Sequence, residues 1–423
     1  MRIASRPQRP SISFSFSFSF LGLLLTTTAL AVPSRALAHE EDEHEEEEDD
    51  AAIGETSVLA RMPLSLAQES FPPAGAAYPE GVGVVGDRVI VSGPATFGTA
   101  GNGTPSQLTV FGKDDGALLA QIPVQGELTE FEHALSEIAV WKKRVYASST
   151  QLGVLSWDFS KKAGTPAQVS VSTPFCSVTG TFPCHYEAQA GDAACSADIR
   201  PGLPPLPNGI DVDSQGDIYV TDSLQGIVWH VDGGATQPAV ARPLVCSRAL
   251  QGAGEEGLSL FGANGVAVVG DHLYIGVTFG PLDAHFVPTS SIYRFPKAGG
   301  TAADLELVYS FAPVEVAPGV FVPPIADGLA YDRDTEQLYV VLGGQNAVAE
   351  LDLAGDTVVE VARFTRESGA LPFLNPSTLA IDEDGRAFVT NHAITACLPG
   401  SPDPTCARFD AAAHFGVLRL QLP

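Results

Sequence analysis

Positive charge is scarce in this chain. It carries 23 Lys and Arg against 50 Asp and Glu, for a net charge of −27. Nucleic-acid binding, which begins with neutralising phosphates, is excluded on that balance. Long apolar runs are absent beyond the N-terminal region, so no later segment can cross a bilayer as a helix. No two of the six cysteines form a C-x-x-C pair, which removes the commonest zinc and thiol-redox pattern. There is no G-x-S-x-G, so a serine hydrolase of the nucleophile-elbow type is disfavoured. Neither a P-loop nor a dinucleotide fingerprint stands in a strand-to-helix setting.

The first residues read as an export signal. Arg2, Arg6 and Arg9 precede an apolar stretch over residues 11–30, and Ala36-Leu37-Ala38 offers a small-residue cleavage site. This predicts a signal peptide over 1–38, a mature start at His39, and a secreted or periplasmic protein. An uncleaved membrane anchor is the competing reading; no span is expected in the mature chain. Cleavage removes four arginines and no acid, which takes the charge to −31. Residues 39–54 are expected to be an acidic disordered segment, with ten acids between 40 and 50. That tract reads as a solvated tail or as a loose divalent-metal binder. The body from Ala51 still carries about −21, which favours solubility and attracts cations.

An even cysteine count in an exported chain predicts disulfides. Cys397 and Cys406 flank a Pro-rich loop and are expected to pair. Cys176, Cys184, Cys195 and Cys246 allow three connectivities, and spacing does not choose among them.

What the chain has in abundance is glycine (42), proline (32) and short alternating apolar runs. That composition predicts many short strands rather than long helices. One unit recurs. Pro79-Glu80-Gly81, Pro207-Asn208-Gly209, Ala263-Asn264-Gly265 and Ala326-Asp327-Gly328 each open an apolar run, and a second strand follows after a tight turn. Ser136-Glu137-Ile138 and Pro376-Ser377-Thr378 keep the strand pattern without the glycine. Glu80, Glu137, Asn208, Asn264, Asp327 and Ser377 are therefore read as equivalent positions, 50 to 71 residues apart. Six repeats of that length with four short strands each predict an all-β fold, a six-bladed β-propeller over residues 55–423. In a ring the oxygen-bearing side chains converge, and hard oxygen donors suit Ca²⁺ better than Zn²⁺ or copper.

The blades are expected over 80–124, 137–172, 208–245, 264–312, 327–365 and 377–422. The last lacks an outer strand, and residues 56–64 are β-prone, so an N-terminal strand is expected to close the ring. The insert 173–207 is expected on the face where the inner strands begin; the loops 282–288 and 396–407 are left without a face.

These motifs resemble those of the calcium-dependent six-bladed propeller hydrolases, which include gluconolactonase and the senescence-marker-protein group, diisopropylfluorophosphatase and, more distantly, the paraoxonases. The resemblance covers roughly residues 80–422 and rests on the short motifs, which keep that group's order of Glu, Asn, Asn, Asp. It implies one Ca²⁺ in the central tunnel, held by Glu80, Asn208, Asn264 and Asp327. Four protein ligands leave positions open for water and substrate. It further implies hydrolysis of a lactone, ester or phosphotriester, with Asp327 attacking directly or activating water. The amide N–H groups of Asn208 and Asn264 would orient substrate.

Glu137 departs from that pattern. It is read as a second catalytic candidate, acting as general acid or base, or else as a neighbour of the ligands or a solvated tunnel residue. Three carboxylates around one divalent ion leave one surplus negative charge, which is expected to raise a pKa. His133 and His392 can each reach a tunnel mouth, though a loop histidine is the commoner case. The alternative function is a non-catalytic propeller of the NHL kind that binds a protein or metabolite. A metal-free strictosidine-synthase-like member is disfavoured by the intact ligand set, and a quinone-dependent sugar dehydrogenase by the lack of a basic and His cluster. Substrate identity and oligomeric state stay open.

Overall fold

The computed structural model describes residues 53–62, 79–94, 99–101, 103–161, 166–175, 195–200, 203–234, 237–253, 261–354, 357–365, 373–392 and 416–423. The expected export signal, the acidic tract, Cys176, Cys184, Cys397, Cys406, most of the 173–207 insert and the 396–407 loop lie outside the described residues.

Strands form wherever the sequence alternates β-branched and polar residues between glycine or asparagine turns. β1 is Thr56–Arg61. Blade one is β2 to β5: Val82–Val85, Arg88–Gly93, Gln107–Gly112 and Leu118–Pro123. Blade two is β6 to β9: Leu135–Trp141, Arg144–Ser149, Gly153–Asp158 and Gln168–Ser170. Blade three is β10 to β13: Pro207–Val212, Ile218–Asp222, Ile227–Val231 and Arg242–Cys246. Blade four is β14 to β17: Ala263–Val269, His272–Val277, Ser290–Pro296 and Glu306–Phe311. A two-stranded hairpin follows, β18 (Val314–Ala317) and β19 (Val320–Val322). Blade five is β20 to β23: Ala326–Asp332, Gln337–Leu342, Ala347–Asp352 and Val359–Thr365. Blade six holds β24 (Pro376–Ile381), β25 (Arg386–Asn391) and β26 (Gly416–Gln421).

Each blade is a four-stranded antiparallel sheet, and blade six takes β1 as its outermost strand, in the order β1-β26-β25-β24. The six-bladed propeller closed by an N-terminal strand is therefore as expected. Closure protects the edge of β26 and joins both ends of the chain in one sheet. The inner strands β2, β6, β10, β14, β20 and β24 each pack against the inner strand before and after, round to β2 again.

The core is divided among the six clefts between blades. Ile90, Leu108, Leu135, Val145 and Trp157 fill the cleft between blades one and two. Leu59, Met62, Val89, Phe111, Phe388 and Val417 fill the one where the ring closes. Burying these side chains is worth about 1.5–3 kcal/mol each, so the blades hold one another in place.

β15 ends opposite the start of β14, with Val277 paired to Ala263. The 282–288 loop therefore lies on the face where the inner strands begin, and so does the β18–β19 hairpin, which leads into β20. The two touch through stacked rings of His285 and Phe321, with centroids 3.9 Å apart. The hairpin was not anticipated, although Gly319 between two valine-rich pairs marks its turn.

Cys195 and Cys246 form a disulfide, which selects the pairing of these two. It pins the 195–200 segment to the end of β13, where Ser196 N also donates to Cys246 O at 2.8 Å. Such a bond is compatible with an oxidising compartment. No helix among the described residues is long and apolar enough to cross a membrane.

One alignment needs correction. In blade three Pro207 faces Asp222 and Ile210 faces Val220, with a bulge between. In blade two Leu135 faces Ser149 and Ile138 faces Ala147. Ser136 is thus level with Asn208, and Glu137 occupies the position that is glycine in blades one, three, four and five. Thr378 holds that position in blade six, where Pro376 faces Asn391 and Leu379 faces Val389.

Candidate functional site

Six residues stand level around the tunnel: Ser136, Asn208, Asn264, Asp327 and Ser377, each second in its inner strand, and Glu80, two residues before β2. Five of the inner strands carry a bulge beside this position. The next residue is glycine in four blades for a steric reason. A Cβ on Gly81 would lie 2.6 Å from Ile138 N of the neighbouring inner strand. Inner strands this close leave no room for a side chain between them.

Hydroxyls at or just past the ends of the second strands lock five of the six blades to the next; blade five has Val341 at that register. Ser92 donates to Ser136 O, Ser148 to Asn208 O (2.6 Å), Thr221 to Asn264 O, and Thr390 to Glu80 O (2.8 Å). In blade four that register is Gly276, and Thr278 two residues on donates to Ala326 O instead, at 2.9 Å. These clasps fix the backbone that carries the tunnel side chains. The Ser and Thr residues at or just past the ends of five second strands were a legible signal that the sequence reading did not use.

The two amides are aimed by hydroxyls of Ser223 and Thr278. Asn208 Nδ2 donates to Ser223 Oγ at 3.2 Å, and Asn264 Nδ2 to Thr278 Oγ1 at 3.0 Å. One of the two N–H groups of each amide is thereby engaged in fixing it.

The carboxylates gather. Glu80 and Glu137 are buried, and Asp327 is half-buried. Burial and then the Glu137 charge push Glu80 up to about 8. Burial chiefly, with Asp327 adding, pushes Glu137 up to about 8. Burial and the Glu80 charge hold Asp327 well above the usual carboxylate range, against an opposing hydrogen bond from Asn264. Burial is the largest cause for all three acids, and repulsion from a neighbouring carboxylate adds to each. Glu80 Oε2 has no hydrogen-bond partner and less than 1 Å² of exposed surface.

His392 Nδ1 lies 3.4 Å from Glu80 Oε2. Burial pushes that imidazole down to about 3, so it is neutral at neutral pH and does not serve Glu80 as a counter-cation. His133 is elsewhere: fully buried, its ring nitrogens sit 2.9 Å from Phe131 O and 2.8 Å from Thr104 O. It braces the 99–133 loops and does not line the tunnel. Sequence reasoning missed Thr378, whose Oγ1 donates to Glu137 Oε1 at 2.7 Å.

The donor set fits a hard cation. It offers carboxylate and amide oxygens, a surplus of buried negative charge, and one orphaned carboxylate oxygen. Among the described residues no three His, Cys, Asp or Glu side chains suffice by themselves to hold an ion. The quartet of Glu80, Asn208, Asn264 and Asp327 does not require three, since half of its oxygens come from amides.

No protein-family model and no curated protein matches the chain. Solved structures do. A protein of unknown function from Bacteroides thetaiotaomicron is 13% identical with a TM-score of 0.48, over 86% of this chain and 75% of that one. Luciferin-regenerating enzyme is 12% identical with a TM-score of 0.47, over 82% and 92%. A putative oxidoreductase (glucose dehydrogenase) from Thermus thermophilus is 14% identical with a TM-score of 0.45, over 86% and 99%. Likeness this distant reaches no further than the fold.

Proposed function

We propose that the chain is a secreted or periplasmic Ca²⁺-dependent hydrolase of a lactone, ester or phosphotriester. The observation that carries this reading is the buried carboxylate cluster in the tunnel, with Glu80 Oε2 left without a hydrogen bond. Two buried acids and a half-buried third, with no Lys or Arg paired to them among the described residues, are costly to keep charged unless a cation occupies the site. Glu80, Asn208, Asn264 and Asp327 would hold it. A bound calcium ion supplies Lewis acidity towards a carbonyl or phosphoryl oxygen.

The protein groups divide the remaining work. Asp327, the more exposed of the two quartet acids, takes the proton of an attacking water or attacks the electrophilic carbon or phosphorus itself. Asn264 holds that carboxylate in place by a hydrogen bond. Glu80, deeper and 3.4 Å from His392 Nδ1, holds metal only. Glu137 has both oxygens taken by protein donors, Ile210 N and Thr378 Oγ1, so acid–base work falls to Asp327.

A panel of a δ-lactone, an aryl ester and an aryl phosphotriester, with and without chelator, tests the reading. Turnover of at least one, lost in chelator and restored by calcium, is expected. No turnover of any, with calcium saturating, favours the alternative, a non-catalytic NHL-like propeller that binds a protein or metabolite.

A further inference from the structure

Glu137 belongs to blade two, yet its carboxylate is bound by two other blades. Oε2 accepts from Ile210 N of blade three at 3.1 Å, and Oε1 accepts from Thr378 Oγ1 of blade six at 2.7 Å. Inner strands follow one another round the ring, so blades three and six are three steps apart in either direction and face each other across the tunnel. One carboxylate that bonds to both must sit at the axis. The glycines at this level make it possible. A Cβ on Gly209 would lie 2.8 Å from Glu137 Oε2, and one on Gly328 would meet the Thr378 side chain. Glu137 and Thr378 are also 6% and 3% exposed, so neither lines an open bore.

We propose that Glu137 and Thr378 form a plug across the tunnel, one residue beneath the ring of oxygen donors, so that the candidate site is a pocket with a single mouth. Substrate enters and product leaves only through the face where the inner strands begin. The 282–288 loop and the β18–β19 hairpin stand on that face. Glu137 is then a positioning residue: its bond to Ile210 fixes the start of β10 and, two residues earlier, Asn208. The plug stands on geometry alone; its consequence for substrate rests on the function proposed above.

Two readouts that need neither metal nor substrate test it. Stability to urea is measured for the full chain, Thr378→Val, Glu137→Met, which has no oxygen acceptor, and the double variant. The plug predicts that the double variant loses clearly less than the two single losses combined, because both break one bond. Thr378→Ser, which keeps the hydroxyl, restores wild-type stability. Amide exchange at Ile210 is followed beside its strand partner Val220. The expected result is at least tenfold faster exchange at Ile210 in Glu137→Ala, with Val220 unchanged. Should Glu137→Ala fail to fold, the Thr378 variants still decide. Additive losses with no rescue by Thr378→Ser, or Ile210 exchange unchanged in a folded Glu137→Ala, overturn the plug. If the hydrolase reading fails for want of calcium binding, both readouts stand, so the two ideas fail separately.

Discussion

Asp327→Asn keeps the fold and loses turnover by roughly 10²–10⁴-fold, the range set by removing a general base or a transition-state electrostatic partner. The change is nearly isosteric, and Asp327 is half-buried in a tunnel whose walls are fixed by the blade-to-blade hydroxyls, so the backbone has little reason to move. An amide oxygen still offers a metal ligand, so calcium binding weakens but need not vanish. What disappears is the carboxylate of the more exposed of the two quartet acids, and with it the base or nucleophile. Glu80→Gln fails differently. It removes the charge of a buried ligand, so its loss should be recovered in large part by raising calcium, whereas that of Asp327→Asn should not. Full activity in Asp327→Asn, or equal rescue of both variants by calcium, contradicts the division of roles.

The stability of the metal-free protein should fall as pH rises from about 4.5 to about 8. Glu80 and Glu137 have folded-state values of about 8 against 4.5 for an unburied glutamate, with burial as the main cause in both. Below the unfolded value both states hold the proton and no penalty exists. Between the two values the unfolded chain gives up protons that the folded cluster retains, so unfolding is favoured increasingly with pH. Above about 8 the penalty is complete. One group shifted this far corresponds to on the order of 5 kcal/mol, and the three acids do not sum because they share the same repulsion. Urea unfolding in chelator at about pH 5 and pH 8 reads the fall. General repulsion on an acidic surface acts in the same direction but is screened at high salt, whereas the buried cluster is screened much less. Saturating calcium should remove most of the fall by occupying the cluster. A metal-free stability that is flat or rising over this range at high salt contradicts the buried repulsion.

Much of the fold was legible because its signals repeat. Glu-Gly, Asn-Gly or Asp-Gly before an alternating run marks four inner strands, and with the two glycine-free copies the repeats, read as 50 to 71 residues apart, define a ring. The spare strand Thr56–Arg61 and the short last blade together gave the closure. Glu137 was misaligned by one residue for a physical reason. Without the glycine, Ser136 and Glu137 are neighbours with equal claim to the ligand position, and the bulge after Leu135 breaks the two-residue period that would decide. Thr378 was invisible because its partner lies 241 residues away on another blade. His133 illustrates the opposite error: it stands next to an inner strand in sequence, yet two carbonyls outside the tunnel claim its ring. The disulfide of Cys195 with Cys246 follows from how the 195–200 segment lies along β13, which spacing alone does not encode.

The most direct measurement is calorimetric titration of calcium into the full-length mature protein and into Asp327→Ala. Both carry the acidic tract between residues 40 and 50, so any loose binding there is common to the two. The account predicts one tight site in the wild type that is missing from the variant, above a shared weak background. Isotherms that are the same for the two proteins, with or without a tight site, would contradict a calcium centre built on Asp327.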